Sequence, residues 1–572
     1  MIKIKVSVMH NNHILLFIIF LASFLLMQSI SGSHFNAITS ELDQYNDVEE
    51  KIKPYWKEKN FATSMLKSSF FSHSSNDIGK NNFTFYVDDN APSGWYDATH
   101  VHTISEAVNN ASEQDSIFVY DGIYEEYVHI NTSVSIIGQS TTEVLVSSSN
   151  QNGTIKITTD FVSIKNMTVS NPVAMGIKMI ASSITVQNIT LTGSLYGVYA
   201  ANASECSLSN NTLYNNTNGV YFYDTDDCLI TNNSFANNSY RAVAISSAST
   251  NIRCENNSFT HNEISLYLSS STECYIQHNT IKNSTDKALY VKASSNCIIS
   301  NNVITYNHHG IYLDISTDNS IISLNTIENN TVRGVFIKNS PSNAIQHNNI
   351  KNNYDGIGLF YSSYTLITQN TISQNDNDGI RIKESTQNNI RLNTIKSNYR
   401  GCYIYQSSTH NAFTENTIIN NSKGIYIEMF EQTFSSSTNN WFFHNSFMNN
   451  SIHAFDSWGN NWNKPYAVGG NYWDDYNGSD FFHGINQDIP GSDGFGDGDY
   501  NKISGIVDNF PLITPWNGSL PDLTFDVIYV DDDFNQSTPG WWYDHFSTIH
   551  NGSAAADEYA TIRVNVQNNH SD

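Results

Sequence analysis

The sequence predicts an all-β protein built as a parallel β-helix, a single-stranded solenoid with about 23 residues in each coil. Two observations support this fold. An asparagine that opens a short apolar motif recurs every 22 to 24 residues, as in NTIKSN from Asn393 and NTIINN from Asn416. A glycine followed by apolar residues two apart recurs with the same period, as in GIYIE from Gly424. Apolar residues two apart are typical of strands, and no stretch sustains the 3.6-residue period of a helix.

The asparagines form one predicted column. Because a residue that recurs once per coil lies above its own copy, their side chains should stack and hydrogen-bond along the axis, which makes the column structural. We expect about a dozen coils, stacked at roughly 4.8 Å. The members are Asn211, Asn233, Asn257, Asn279, Asn302, Asn325, Asn348, Asn370, Asn393 and Asn416.

The recurring glycine is expected to permit a positive φ at a corner of the coil, as at Gly219, Gly310 and Gly334. A leucine-rich repeat of similar length is the alternative fold. Its Leu-x-x-Leu-x-Leu frame is absent from these repeats, so the parallel β-helix is favoured.

The overall charge excludes one class of partner. The formal net charge is −26, from 28 basic and 54 acidic side chains. Nucleic acid is therefore not expected as a partner, because binding its phosphates requires a basic surface.

The N-terminus reads as a secretory signal peptide over residues 1–33. Lys3 and Lys5 precede an apolar run from Ile14 to Met27, and the small residues 31–33 follow. An uncleaved anchor is the alternative, although the run is short for a membrane span. We therefore expect an exported protein, outside the cell or at its surface.

Export would expose the Asn-x-Ser/Thr sequons to glycosylation. A chain rich in Asn, Ser and Thr also forms sequons by composition alone, and both explanations stay open. The sequons include Asn82, Asn131, Asn166, Asn215, Asn237 and Asn517.

Five further segments follow the signal peptide. The folded part opens with HTISEAV, an expected short helix that covers the open end of the solenoid. Near the C-terminus, YVDDDFN from Tyr529 repeats YVDDNAP from Tyr86, so we expect a second module that begins there and is truncated at Asp572. The segments are a polar spacer (34–80), an N-terminal cap with the first coils (81–145), regular coils (146–455), a cap rich in Asp, Gly and aromatics (456–520) and a second, truncated β-helix module (524–572).

Four cysteines occupy one position of the repeat. Cys206, Cys228, Cys274 and Cys297 align with Ser320, Ala344 and Ala412 of later coils. The position therefore favours a small buried residue, and we expect free buried thiols. Disulfides between neighbouring coils, Cys206–Cys228 and Cys274–Cys297, are the alternative that the coil spacing allows.

Three parts of the sequence carry a resemblance: VYDGIYEEYVHINTSVSIIG, the Asn-x-Ile coils, and the closing NYWDDY, DGFGDGDYNKI and DNFPLITPW. Over residues 83–516 the chain resembles the NosD-like family of right-handed parallel β-helix proteins, within the pectin-lyase-like group of carbohydrate-binding proteins and sugar hydrolases. The resemblance implies a right-handed helix in a secreted surface protein, and it raises copper delivery as a function. Copper is not favoured, because His278, His347 and His444 lie three or more coils apart.

Two patterns in the sequence are of the kind found in enzymes. Asp226-Asp227, His308-His309 and Arg381-Ile-Lys383 follow the order found in polygalacturonases, but they occupy different repeat positions several coils apart and cannot meet. The better candidate is the outward column Glu205, Asp227 and Glu273, next to the cysteines. Carboxylates one coil apart approach the separation of a retaining glycosidase pair, and they could equally hold calcium. A solvated turn is the alternative.

An outward column of aromatic residues is the candidate binding site. Each lies between two inward apolar residues of the strand that follows the glycine. Aromatic rings spaced along a rigid face suit stacking on sugar rings, and stacking that only stabilises the sheet is the alternative. The members are Tyr199, Tyr221, Tyr267, Tyr290, Tyr312, Phe336, Tyr403 and Tyr426.

An acidic, glycine-bent turn in the C-terminal cap predicts a calcium site. Asp493, Asp497 and Asp499, with Asp488 nearby, offer the oxygen ligands that Ca²⁺ prefers, although their spacing is not that of an EF-hand.

Our leading interpretation is a non-catalytic surface protein that binds a polysaccharide or glycan along the aromatic face. The alternatives are a polysaccharide lyase or glycoside hydrolase that uses the acidic column, and a structural component of the envelope.

Overall fold

The structure is a computed structural model that describes residues 83–428, 436–502 and 505–518, and the backbone of three strands after residue 526. The predicted signal peptide and spacer lie outside the described residues. No helix in the part of the chain that is described is long and apolar enough to span a membrane.

The chain folds as a right-handed parallel β-solenoid with about 23 residues per turn, as the repeat predicts. Each regular coil contains two short strands and one long strand, and every strand pairs in parallel with its copies in the coils above and below. The long strands form one 15-stranded sheet, so there are about fifteen coils rather than a dozen.

The long-strand sheet carries the candidate binding face, and its strands are Val128–Ile130, Ile155–Ile157, Met175–Met179, Tyr196–Ser204, Asn218–Asp226, Arg241–Ser246, Ile264–Ser269, Lys287–Lys292, His309–Asp314, Arg333–Lys338, Asp355–Phe360, Asp378–Lys383, Arg400–Tyr405, Lys423–Glu428 and Ile452–Asp456.

The short strands form the two other sides of the coil. The first side comprises Phe85–Val87 with His100–Val101 beside it, Ser116–Val119, Ser135–Gly138, Ser207–Ser209, Leu229–Thr231, Arg253–Glu255, Tyr275–Gln277, Ile298–Ser300, Ile321–Ser323, Ala344–Gln346, Leu366–Thr368, Asn389–Arg391, Ala412–Thr414 and Trp441–Phe443. The second side comprises Gly122–Glu125, Val144–Ser147, Thr212–Tyr214, Ser234–Ala236, Ser258–Thr260, Thr280–Lys282, Val303–Thr305, Thr326–Glu328, Asn349–Lys351, Thr371–Ser373, Thr394–Lys396, Thr417–Ile419, Ser446–Met448 and Tyr472–Trp473. Two longer strands, Ser163–Ser170 and Thr185–Thr192, run along both sides.

One helix, α1 (Ile104–Asn110), covers the N-terminal end of the solenoid, as HTISEAV predicts. The Thr103 hydroxyl accepts a hydrogen bond from the Glu106 backbone N–H, which caps the first turn. Ile104, Ala107 and Val108 are buried in the core.

The asparagine column is confirmed as one continuous ladder from Asn211 to Asn471. Within it, the Asn302 side chain donates to the Asn325 Oδ1 at 3.0 Å and to the Ile276 carbonyl at 2.8 Å. The Asn302 backbone N–H also donates to the same Asn325 oxygen, at 2.9 Å. Each side chain thus satisfies turn groups that would otherwise be buried without partners.

A second ladder lies five residues further along most coils, for example from Asn307 to Asn330 to Asn353. Sequence reasoning missed this ladder, although from Asn211 to Asn445 an asparagine follows the first-column asparagine by five residues in every coil except the one with Ser284.

The expected role of the repeat glycine was wrong. Gly310 does not have a positive φ; instead, a Cβ there would lie 2.3 Å from the Gly334 carbonyl of the next coil, so close approach selects glycine. The left-handed corners are occupied by residues just before the buried turn positions, such as Asn296, Asn301 and Tyr306, with φ from 56° to 59°.

All six cysteines are buried free thiols, as expected for the four cysteines of the repeat position. The Cys206 backbone N–H donates to the Cys228 Sγ at 3.4 Å. The alignment of the later coils was wrong by one residue: Ser320 is followed in its ladder by Asn343, whereas Ala344 pairs with Ile321 in the adjoining strand. Several later coils, with Asn343, Asn388 and Asn411, therefore have a hydrogen-bonding asparagine where four early coils have cysteine.

The C-terminal cap closes on a buried carboxylate. Trp473 stacks between Phe447 and Tyr500, with both ring centroids at 4.3 Å. The Asp508 Oδ2 accepts from the Trp473 indole N–H at 2.9 Å and from the Asn471 backbone N–H at 2.7 Å. Burial raises the pKa of Asp508 to about 7, against the lowering effect of these hydrogen bonds.

Strands in the predicted second module repeat the pairing found at the start of the solenoid. Val527–Val530 pairs in parallel with His545–Phe546 and Thr561–Val564, and Tyr529 lies opposite His545. In the first module, Tyr86 lies opposite His100 in the same way. A two-stranded antiparallel pair, Phe482–His483 with Ile489–Pro490, completes the described strands.

Candidate ligand-binding face

The outward side of the long-strand sheet carries three columns of side chains. In a six-residue strand they are positions one, four and six, for example Arg333, Phe336 and Lys338. We call them the first column, the aromatic column and the last column. Residues at the same position are paired directly in neighbouring coils, as Tyr290 is with Tyr312.

The aromatic column contains every predicted ring, in three runs. The central run, Tyr267, Tyr290, Tyr312 and Phe336, has successive centroids 5.4, 5.3 and 4.9 Å apart. The runs are Tyr199–Tyr221, Tyr267–Phe336 and Tyr403–Tyr426, the last extended by Phe455, which sequence reasoning missed.

Ala244 separates the first two runs, and Gly358 with Arg381 separates the last two. The sequence-predicted residues are therefore brought together as three stacks rather than one unbroken ladder.

Two of the predicted rings are covered. Tyr199, Tyr221, Tyr267, Tyr290, Tyr312 and Tyr426 are half-buried and reach solvent. Phe336 and Tyr403 are only 6% and 3% exposed, so their expected exposure was wrong. The Arg333 guanidinium lies 4.1 Å from the Phe336 centroid, and the Arg400 guanidinium lies 3.8 Å from the Tyr403 centroid. These cations cover the two rings.

A cation accompanies most rings of the second and third runs. It lies three residues before the ring on the same strand, in the pattern KALY, RGVF, RGCY and KGIY. Lys423 Nζ is 3.8 Å from the Tyr426 centroid and Lys287 Nζ is 4.9 Å from that of Tyr290. Contacts of this kind stabilise both partners by about 0.5 to 2 kcal/mol.

Beneath these cations lie two buried aspartates in adjacent coils. Asp378, which is fully buried, accepts from the Arg400 Nε at 2.5 Å and from its Nη2 at 3.1 Å. Asp355, 1% exposed, lies 3.4 Å from the Arg333 Nε and 3.5 Å from the Arg381 Nη1. Burial raises the pKa of Asp378 to about 6, and the Arg400 hydrogen bonds oppose that rise. The aspartates hold the arginines in place and are not themselves accessible.

This ionic cluster was not predicted. Its sequence signal is the repeat itself, since DGIGLF, DGIRIK and RGCYIY place Asp355, Asp378 and Arg400 at the same position of consecutive coils.

The acidic column lies apart from this face, on a corner after the long strand. Glu205, Asp227 and Glu273 are all exposed, with φ between 53° and 56°. Glu205 and Asp227 lie in consecutive coils, but Asn251 occupies the next coil, so the structure does not bring Glu273 beside Asp227. The Asn251 side-chain amide donates to the Asp227 Oδ1 at 2.5 Å.

The acidic turn of the cap uses its carboxylates to fix its own backbone. Asp497 accepts from the Ser479 hydroxyl and from the N–H groups of Phe481 and Phe482 at 2.7 to 3.0 Å. Burial would raise the pKa of Asp497, but these hydrogen bonds outweigh it and lower the pKa. Asp493 is buried and accepts from the Gln487 side chain at 2.9 Å.

Asp488 and Asp499 are exposed, and the four predicted ligands do not converge as one group in the structure. Asp497 and Asp499 instead line a shallow depression of about 460 Å³ together with Tyr476 and Lys502.

Among the described residues, one group has the ligand atoms of three titratable side chains within 4.8 Å of one another, namely His453, Asp474 and Asp475. The His453 Nε2 is 2.8 Å from the Asp474 carboxylate, and Lys502 Nζ is 3.8 Å from that of Asp475. The group offers one nitrogen and two oxygens, without the sulfur ligands that select copper(I).

Two family profiles match the chain. The family described as periplasmic copper-binding protein (NosD) matches residues 318–478, and the right handed beta helix region matches residues 149–296 and 196–343. No curated protein has a matching sequence.

Solved structures with low sequence identity resemble the fold. The A-module of the mannuronan C-5 epimerase AlgE6 from Azotobacter vinelandii is 12% identical, with a TM-score of 0.32, covering 63% of this chain and 92% of that one. The Dettilon tailspike protein is 14% identical, with a TM-score of 0.37, covering 57% and 65%. An exopolygalacturonase from Thermotoga maritima is 10% identical, with a TM-score of 0.33, covering 44% and 82%.

Proposed function

This chain belongs to the NosD-like family of right-handed β-helix repeat proteins, and we propose that it binds a polysaccharide along its long-strand sheet without cleaving it. One observation carries this proposal: the central run of four aromatic rings, three of them half-buried, at intervals near 5 Å on a rigid sheet. Flat rings at regular intervals suit a ligand made of repeating sugar rings.

The proposal is tested by changing Tyr267, Tyr290 and Tyr312 together to alanine. Each ring should contribute about 1 kcal/mol to binding, so the triple variant should bind a glycan about a hundredfold more weakly. A glycan array identifies the ligand and titration calorimetry measures the affinity.

The matched control changes three tyrosines that lie outside the long-strand sheet, Tyr214, Tyr275 and Tyr306, to alanine. This control should bind as the parent does. If the triple variant of Tyr267, Tyr290 and Tyr312 is folded and binds the glycan as tightly as the parent, the binding face is refuted and the protein is left as a structural rod.

Polysaccharide cleavage is the second candidate, and it relies on the exposed carboxylates of Glu205 and Asp227 in consecutive coils. Retaining glycosidases use two carboxylates whose separation is close to the spacing of consecutive coils. Release of reducing ends from a polysaccharide by the parent, and its loss in Glu205→Gln and Asp227→Asn, would support cleavage. Equal release by the parent and both variants would exclude this pair.

We also infer that the protein is exported, since residues 1–33 have the pattern of a signal peptide. The matched NosD family is described as periplasmic, which agrees with export. Cell fractionation with N-terminal sequencing of the mature chain tests this inference, and a cytoplasmic chain with its N-terminus intact would overturn it.

A further inference from the structure

The outward face of the long-strand sheet differs in charge from the rest of the chain. Over the seven strands from Lys287–Lys292 to Lys423–Glu428, every first, aromatic and last column position except Gly358 holds a charged or aromatic side chain. Eight of these side chains are cations, in a chain of net charge −26 with 28 basic residues in all. They are Lys287, Lys292, Arg333, Lys338, Arg381, Lys383, Arg400 and Lys423.

The acids of this face lie underneath. Asp314, Asp355 and Asp378 are buried, whereas the eight cations are all half-buried and reach solvent. Glu428 is the one acid of these columns that is not buried. The solvent therefore meets a cationic surface, although buried carboxylates balance part of its charge.

The cations of the first column and those of the last column differ in what they contact. The Arg333 Nε is buried and lies 3.4 Å from the Asp355 carboxylate. In the last column, Lys292, Lys338 and Lys383 occupy every second coil, with Asp314 and Phe360 between them. Their spacing is thus roughly twice the strand separation, about 9.6 Å.

We infer that the polysaccharide bound by this face is a polyuronate, whose carboxylates pair with the face's cations while its sugar rings lie against the aromatic column. This inference rests on the proposed function. In an extended uronate chain with two-fold symmetry, carboxylates on one side recur at every second sugar, which matches a lysine at every second coil. Arginine and lysine beside a ring can bind a carboxylate while the ring contacts the apolar side of the sugar.

The test compares binding of the parent to polygalacturonate, polymannuronate and polyglucuronate with binding to methyl-esterified polygalacturonate. The ester keeps the sugar backbone and removes the charge. We expect tight binding of at least one polyuronate, no comparable binding of the ester, and weaker polyuronate binding as salt is raised.

The decisive variant changes Lys292, Lys338 and Lys383 to glutamine. Each exposed ion pair contributes modestly, so the three together should weaken polyuronate binding roughly tenfold to a hundredfold. The matched control changes Lys165, Lys282 and Lys396, which lie on the short-strand sides, to glutamine. It alters the net charge equally and should change affinity by less than about threefold.

The outcomes separate this inference from the proposed function. Equal binding of the ester and the acid, lost in the tyrosine variant but not in the lysine variant, would overturn the polyuronate and keep the binding face. Equal weakening in both lysine variants would show that net charge alone attracts the ligand, which also overturns it. Binding of no polysaccharide would overturn both. Circular dichroism and urea unfolding confirm that each variant is folded.

Discussion

Replacing one rung of the asparagine ladder should destabilise the solenoid by several kcal/mol. Asn302 is fully surrounded, and its side chain takes part in four hydrogen bonds. It donates to the Asn325 Oδ1 and the Ile276 carbonyl, and its own Oδ1 accepts from the backbone and side-chain N–H groups of Asn279 at 2.9 and 3.1 Å. Alanine removes all four.

The magnitude follows from these bonds. A net contribution of about 1 kcal/mol for each gives about 4 kcal/mol, and the Asn279 N–H and Ile276 carbonyl left without partners raise the cost to about 6 kcal/mol. Asn302→Ala with Asn325→Ala should cost less than the sum of the two single changes, because the bond between them is lost in either.

The free energy of unfolding is measured by urea titration, with hydrogen exchange at the Asn279 amide as a local probe. Asn131→Ala is the control, because Asn131 is exposed and lies outside the ladder; we expect a change within about 0.5 kcal/mol. If the free energy of unfolding of Asn302→Ala lies within about 1 kcal/mol of that of the control, and the Asn279 amide keeps its protection from exchange, the ladder does not stabilise the fold as argued.

Four further outcomes are expected. The pKa of Asp508 is about 7 in the folded chain and near 3.8 when unfolded, so its contribution to stability should be full below pH 4 and lost as pH rises through 7. Asp508→Asn should therefore flatten this part of the plot of melting temperature against pH, measured by tryptophan fluorescence. Parallel plots for the parent and the variant would contradict this assignment. Arg400→Ala removes the hydrogen-bonded partner of the buried Asp378, leaving only Arg381 at 3.8 Å. It should lower the free energy of unfolding by about 3 to 5 kcal/mol, against less than about 0.5 kcal/mol for the exposed Lys396→Ala. Similar losses in the two variants would show that the pair is not needed. A thiol reagent should count six cysteines in denaturant without reductant and almost none in the native protein; a lower count in denaturant would reveal a disulfide. If Asp488, Asp493, Asp497 and Asp499 bind calcium, Ca²⁺ should raise the melting temperature relative to chelator; no shift and no heat of binding would remove the site.

The period and the column of asparagines were predictable because both depend on the sequence alone. A residue that recurs every 22 to 24 positions occupies the same place in each coil, whatever the exact shape of the corner. The outward direction of Tyr290 and Tyr312 follows in the same way from alternation within the strand.

The covering of Phe336 and Tyr403 could not be predicted by alternation. Arg333 lies three residues before Phe336, so strict alternation would put the two on opposite sides of the sheet. Pairing with the next coil skips Gly334, and this break turns both side chains outward. The cluster of Asp355, Asp378 and the arginines depends on the same break. The repeat aligns these residues, but alternation alone does not place them on the outward side with the rings.

The hydrogen bonds that join one asparagine of the ladder to the next all run one way, and this polarity allows coils to be added. Every backbone N–H in the column donates toward the C-terminal end, so a rung can be duplicated without altering its neighbours, whereas the last donor needs an acceptor that is not another rung. Asp508 supplies that acceptor to Asn471. Duplication of one repeat in the gene would therefore lengthen the face by one coil, and the same terminating carboxylate would still close the ladder.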